Sequence, residues 1–167
     1  MSRYDASNAQ LFIYTFKEGA LAAIAHDLKL TLGRFEIDAE GDTVTATFDA
    51  TTIKVVCPRK DGRDNPGVLP QMLYGEIEKN AKNDVLEVGK HASVKFKSTV
   101  ITESDVRGEL TLHGKTAPVT GTRSDDATHR GVSIRFDQRD FGIKPYSAML
   151  GTLKIKPEVV VEVRLPK

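Results

Sequence analysis

His26, His91, His113 and His129 are the four histidines of the chain, and they are the groups able to exchange a proton near neutral pH without a strongly perturbing environment. No two of them fall within four positions of each other, so neither an HxH nor an HxxxH ligand pair exists, and no metal site is expected. Cys57 is the single cysteine, which excludes an internal disulfide and any multi-cysteine cluster. It is expected to be a small buried apolar residue. No serine sits in a GxSxG elbow, so nucleophilic hydrolysis has no motif. The tripeptide Asp140-Phe141-Gly142 can hold magnesium beside a nucleotide, but only with a glycine-rich loop, a strand lysine and a catalytic loop that this chain lacks. "GRDNPG" puts a proline where a phosphate cradle needs backbone amides. No catalytic residue and no cofactor are therefore expected, and the chain reads as a non-enzyme.

Composition excludes further classes. Lys plus Arg number 24 against 23 for Asp plus Glu, a net charge of +1 with the signs interleaved, which is not the footprint of a nucleic-acid binder. The longest purely apolar run, Ala20 to Ala25, is six residues, far short of the ~20 that span a membrane as a helix. The opening "MSRYDASNAQ" is polar and lacks a basic-then-apolar leader pattern, so the expected location is cytoplasmic. Residues 1–167 are expected to form one domain.

Whatever chemistry exists must be positioned mainly by strands, because most of the chain alternates with period two. Leu28, Leu30 and Leu32 oppose Asp27, Lys29 and Thr31; Val44, Ala46 and Phe48 oppose Thr43, Thr45 and Thr47. Val94, Phe96, Ser98 and Val100 oppose lysines and threonine, and Val106, Gly108, Leu110 and Leu112 oppose Arg107, Glu109, Thr111 and His113. Val132, Ile134 and Phe136 continue the pattern, and two last strands are expected at Thr152 to Ile155 and Val159 to Leu165. "ESD" and "HGKTAP" read as hairpin turns, and Pro58 to Gly67 as an irregular loop. One stretch has helical spacing, with Leu69, Met72, Leu73 and Ile77 on one face and a break near Asn80 to Asp84.

The expected fold is thus mainly all-β, with about eight antiparallel strands and one inserted helix, stacked as a sandwich or closed as a barrel. A barrel of about eight strands holds its own side chains or one small ligand. His26 falls on the leucine face of its strand. It is either a buried histidine bonded to a backbone carbonyl or a polar group facing a cavity. His91, His113 and His129 are expected at the surface. An enzyme or a haem-binding barrel using His26 beside a small apolar cavity is the alternative to a pure binding protein.

Four segments in order, "AHDLKLTLGRFE", "EVGKHASVKFKSTVI", "VRGELTLHGKTAPVT" and "RDFGI...MLGTLKIKPEVVVEVRL", resemble the YceI-like family of lipid-binding, lipocalin-like barrels over nearly the whole chain. The resemblance implies an antiparallel eight-stranded barrel with a helix over one end and a long isoprenoid or similar amphiphile in an internal channel. Candidate ligands are a polyisoprenoid, an isoprenoid quinone or a fatty-acid derivative. It implies that Asp140-Phe141-Gly142 ends a strand and enters a loop, Gly142 supplying a conformation other residues resist. By period, the residues expected to line the channel are His26, Leu28, Leu30, Phe48, Phe96, Leu110, Leu112, Ile134 and Phe136, with Met72 from the helix and Phe141 from the loop. Relatives are often exported, in contrast to the location expected from this chain's opening residues. A homodimer is compatible with these features.

Overall fold

The computed structural model describes residues 1–20 and 25–167. The core of the Ala20 to Ala25 run therefore lies outside the described residues. Among the described residues no helix is long and apolar enough to cross a membrane.

The chain forms β1 (Ser2–Asp5), β2 (Gln10–Glu18), β3 (Asp27–Leu32), β4 (Phe35–Glu40), β5 (Thr43–Asp49), β6 (Ile53–Lys60) and β7 (Arg63–Asp64) before the helical insert. After it come β8 (Ser93–Ile101), β9 (Asp105–Leu112), β10 (Lys115–Arg123), β11 (His129–Asp137), β12 (Ser147–Ala148) and β13 (Leu153–Pro166). All belong to one antiparallel sheet, in the order β1-β4-β5-β8-β9-β10-β11-β13-β2-β3-β6-β7 with β12 on β13. The sheet wraps around a single apolar core whose buried members include Leu11, Leu30, Phe35, Ile37 and Phe96. Among the described residues the architecture is barrel-like and mainly all-β with one α-helix, as the alternation implied.

Among the described residues thirteen strand segments, not eight, make up the sheet. Most of the excess comes from bends. β3 turns into β4 at Gly33-Arg34 and β5 into β6 at Ala50–Thr52, and both corners stay paired: Gly33 N–H donates to Thr52 O (3.1 Å) and Asp49 N–H to Arg34 O (3.1 Å). The Pro58–Gly67 segment adds β7, because it is no plain loop, and the two-residue β12 adds one more. β6 runs through a fully buried Pro58 to Lys60 and turns back as β7.

Other departures trace to bulges and special residues. The last two strands are one, β13, bulged between Ile155 and Val159 where Pro157 has no amide to donate. A second bulge between Ser98 and Val100 turns Val100 outward, 46% exposed, although its spacing places it on the inner face. β10 has no clean alternation, yet it pairs along β9 with Pro118 opposite Glu109. The polar opening residues also form a strand, β1, on β4.

The helical insert comprises a 3-10 turn at Gln71–Leu73, α1 (Tyr74–Asn80) and a wider π-type turn at Ala81–Val85. The turn around Asp140-Phe141-Gly142 is a 3-10 segment, Gln138–Phe141, that follows β11 and ends on Gly142 at φ +69°. A Cβ there would also lie 3.3 Å from the Lys115 side chain. Gly142→Ala is expected to destabilise the protein by about 1–2 kcal/mol, the cost of left-handed backbone for an L-residue. Urea unfolding of the two proteins, compared at equal m-value, measures it.

Candidate functional site: an apolar cavity in the barrel

The inward faces of the strands do not meet at the centre. They leave a cavity of about 470 Å³, inside the 300–1,000 Å³ range of small-molecule sites. Its wall takes in His26, Leu28 and Leu30 from the β3 region, Phe48 from β5, Phe96 from β8, Leu110 and Leu112 from β9, and Ile134 and Phe136 from β11. The period-two rule thus delivers these residues to one surface, since alternate side chains of every strand face the same way. Ala46 explains part of the hollowness, and Gly108 lets the Phe96 ring lie flat against the sheet. Ala46, 7% exposed, presents only a methyl group. Gly108 is covered by the Phe96 ring, whose atoms lie 2.6 Å from where a Cβ would be.

Two expected lining residues are elsewhere. Met72 is 86% exposed, because the chain is still in its 3-10 turn there and the true helical face begins later. Ile77, Asn80, Ala81, Val85 and Leu86 are the insert's lining residues instead. Phe141 is 1% exposed and off the cavity wall. It packs edge-on against Phe136 at 5.4 Å between ring centres, as a support behind the wall.

The polar lining groups are Thr15, His26, Asn80, Gln138, Tyr146 and Lys154. Register places them at one end. Thr15 pairs with Leu28 and Val159, Lys154 pairs with Glu18, and Lys17 N–H donates to Asp27 Oδ1 (2.8 Å) beside His26. Tyr146 O accepts from Ile155 N–H (3.0 Å), and Asn80 Nδ2 donates to Tyr146 Oη (3.4 Å), so the helix and the β12 region join the same end. Gln138, just past β11, is held by donating from Nε2 to Lys156 O at 3.1 Å. The opposite end, where Leu11 pairs with Val163 and Leu165 with Arg130, contributes apolar residues to the wall, among them Leu11, Leu32, Val132, Val163 and Leu165. The wall is therefore overwhelmingly apolar, with its few polar residues gathered at one end. Sequence reasoning finds His26 but misses the other polar groups; their residue types carry no signal, and only the pairing of distant strands brings them together.

The remaining histidines differ from expectation as well. His91 and His113 are neighbours, with ring centres 4.5 Å apart, and Glu87 Oε2 lies 2.7 Å from His113 Nε2. Neither ring is fully exposed, His113 retaining 14% of its side-chain surface. Glu87 and His91 stand four residues apart, a spacing that a search for histidine pairs alone passes over. His129 is half-buried at the other end, its Nδ1 2.7 Å from the Thr128 hydroxyl. Cys57 is buried, and burial pushes its thiol pKa up.

Comparison with known proteins gives one family. The YceI-like domain matches residues 4–166. Among solved structures, BcnA of Burkholderia cenocepacia is 13% identical with a TM-score of 0.59, covering 94% of this chain and 96% of that one. A polyisoprenoid binding domain from Saccharophagus degradans, implicated in plant cell wall breakdown, is 11% identical with a TM-score of 0.61, covering 99% and 97%. At these identities the structures show a shared fold. No curated protein matches the chain.

Proposed function

The chain belongs to the YceI-like family, and from that premise we propose that it is a non-enzymatic binding protein that sequesters or carries one long-chain amphiphile inside the barrel. Polyisoprenoids, isoprenoid quinones and fatty-acid derivatives have the required shape. The observation that carries this reading is the cavity of about 470 Å³ with polar groups at one end only. An apolar tail would lie along the leucine, valine and phenylalanine wall, where each methylene removed from water contributes about 0.8 kcal/mol. The head group would sit by Thr15, His26, Asn80, Tyr146 and Lys154. The likeness to a polyisoprenoid binding domain supports the ligand class. We also read the wrapped sheet as a lipocalin-like barrel of eight long strands, since joining β1 to β2, β3 to β4 and β5 to β6 across their bends makes a closed ring of pairings.

Organic extraction of the purified protein followed by mass spectrometry tests the reading. A stoichiometric amphiphile with a long apolar tail is expected in the extract; a blank extract, together with failure to take up any such lipid on incubation, would leave it without support. His26→Leu separates head from tail. Affinity for a hydroxyl-headed lipid is expected to fall about tenfold, the worth of one net hydrogen bond. Affinity for the matching hydrocarbon should stay level, and equal affinity of both proteins for the alcohol would remove His26 from the head-group site.

A further inference from the structure

Outside the cavity wall, the helical insert and the β9–β10 turn bring together three residues that share one kind of chemistry. We propose that Glu87, His91 and His113 form a binding site for a divalent transition-metal ion of the zinc class, at the end of the barrel capped by the insert. Two imidazoles and one carboxylate suit Zn²⁺, Co²⁺ or Ni²⁺, whereas calcium and magnesium select oxygen ligands alone. The ligand atoms all lie within 4.8 Å of one another. Bonds of about 2.1 Å in a tetrahedral site require separations of roughly 3.4 Å, which small side-chain rotations supply.

The hydrogen-bond pattern gives an independent reason. His113 Nδ1 lies 3.3 Å from Phe141 O. In the tautomer whose Nδ1–H donates to that carbonyl, Nε2 presents a lone pair. That lone pair faces Glu87 Oε2 at 2.7 Å. The other tautomer would instead donate Nε2–H to Glu87; in the first, a metal ion between the two acceptors takes the place of that proton. A histidine that anchors one nitrogen on a backbone carbonyl and offers the other to the site is the usual arrangement behind a metal ligand. The carbonyl is itself fixed, because Phe141 is 1% exposed.

The third ligand is held by close packing. A Cβ on Gly114 would sit 3.0 Å from His91 Cε1, so the turn backbone lies against the imidazole. Lys90 Nζ approaches the other carboxylate oxygen, Glu87 Oε1, at 3.8 Å, and with 76% of its side chain exposed it leaves Oε2 to the ion. Three protein ligands would leave a fourth position for water. Bound there, the ion would tie the segment after the insert to the β9–β10 turn, next to Leu86 and Leu112 on the cavity wall.

The test uses the untagged full chain after treatment with a chelator, titrated with zinc chloride by calorimetry and with cobalt chloride by visible absorbance. The expected result is one zinc per chain at micromolar concentration and a cobalt band in the visible. His91→Asn and Glu87→Gln preserve side-chain size; each should weaken zinc binding by at least about 100-fold, beyond the 10–100-fold typical of losing an outer partner. His113→Ala should do the same if circular dichroism shows it folded; if it does not fold, the other two variants decide. His129→Ala should bind as the parent does. No saturable zinc binding by the parent protein, or parent-like binding by the folded His91→Asn and Glu87→Gln variants, overturns the proposal. Because lipid takes no part in the experiment, its outcome is independent of the carrier reading.

Discussion

Ala46→Phe is expected to weaken lipid binding by about 100-fold while leaving the protein as stable as before or more so. Ala46 lies mid-strand opposite Ile37 and Phe96, and its methyl group faces the cavity. A benzyl group there would displace roughly three or four methylenes of a bound tail, each worth about 0.8 kcal/mol, and the sum corresponds to that loss of affinity. The same group fills empty space, so it buries apolar surface without displacing protein atoms. A barrel already packed by its own side chains would respond in the opposite sense: overpacking would destabilise it by about 1–3 kcal/mol. Thermal unfolding and lipid titration on the same two proteins therefore distinguish a hollow interior from a solid one.

Phe141→Ala should show the reverse pairing of effects. Phe141 is among the most buried side chains and props Phe136 from behind the cavity wall. Truncating such a residue typically costs about 3–5 kcal/mol. For a domain of this size each kcal/mol lowers Tm by about 2–4 °C, so a fall on the order of 10 °C is expected. Lipid affinity, measured well below the new Tm, should change by less than about threefold, because the ring makes no part of the cavity surface. A loss of affinity as large as that of Ala46→Phe would show that Phe141 belongs to the ligand site after all.

These two positions also show what can be read from sequence. The alternation that puts Val44, Ala46 and Phe48 on one face is a local property of extended backbone, and it identifies much of the cavity wall without knowledge of the fold. Phe141 closes the 3-10 turn that follows β11, where period two no longer says which way a side chain points. Met72 fails for the related reason that 3-10 geometry does not keep the 3.6-residue spacing. Val100 fails because one bulge inverts the faces of everything beyond it. The strand count fails at the Gly33-Arg34 and Ala50–Thr52 corners, where a sharp bend divides one long strand into two segments although pairing runs through it. The polar end of the cavity and the Glu87, His91 and His113 cluster are invisible for a deeper reason. Apart from His26, and from Glu87 and His91 at four residues' spacing, their members come from segments far apart in sequence, and only the fold makes them neighbours.

The carrier reading rests on a barrel interior that is a dry tube able to take up an apolar tail, and a homologous series of straight-chain alcohols titrated by calorimetry tests it most directly. The predicted result is one ligand per chain, with affinity rising roughly fourfold for each added methylene and then levelling once the cavity is full. Affinity that shows no dependence on chain length, or no binding across the series, would contradict it.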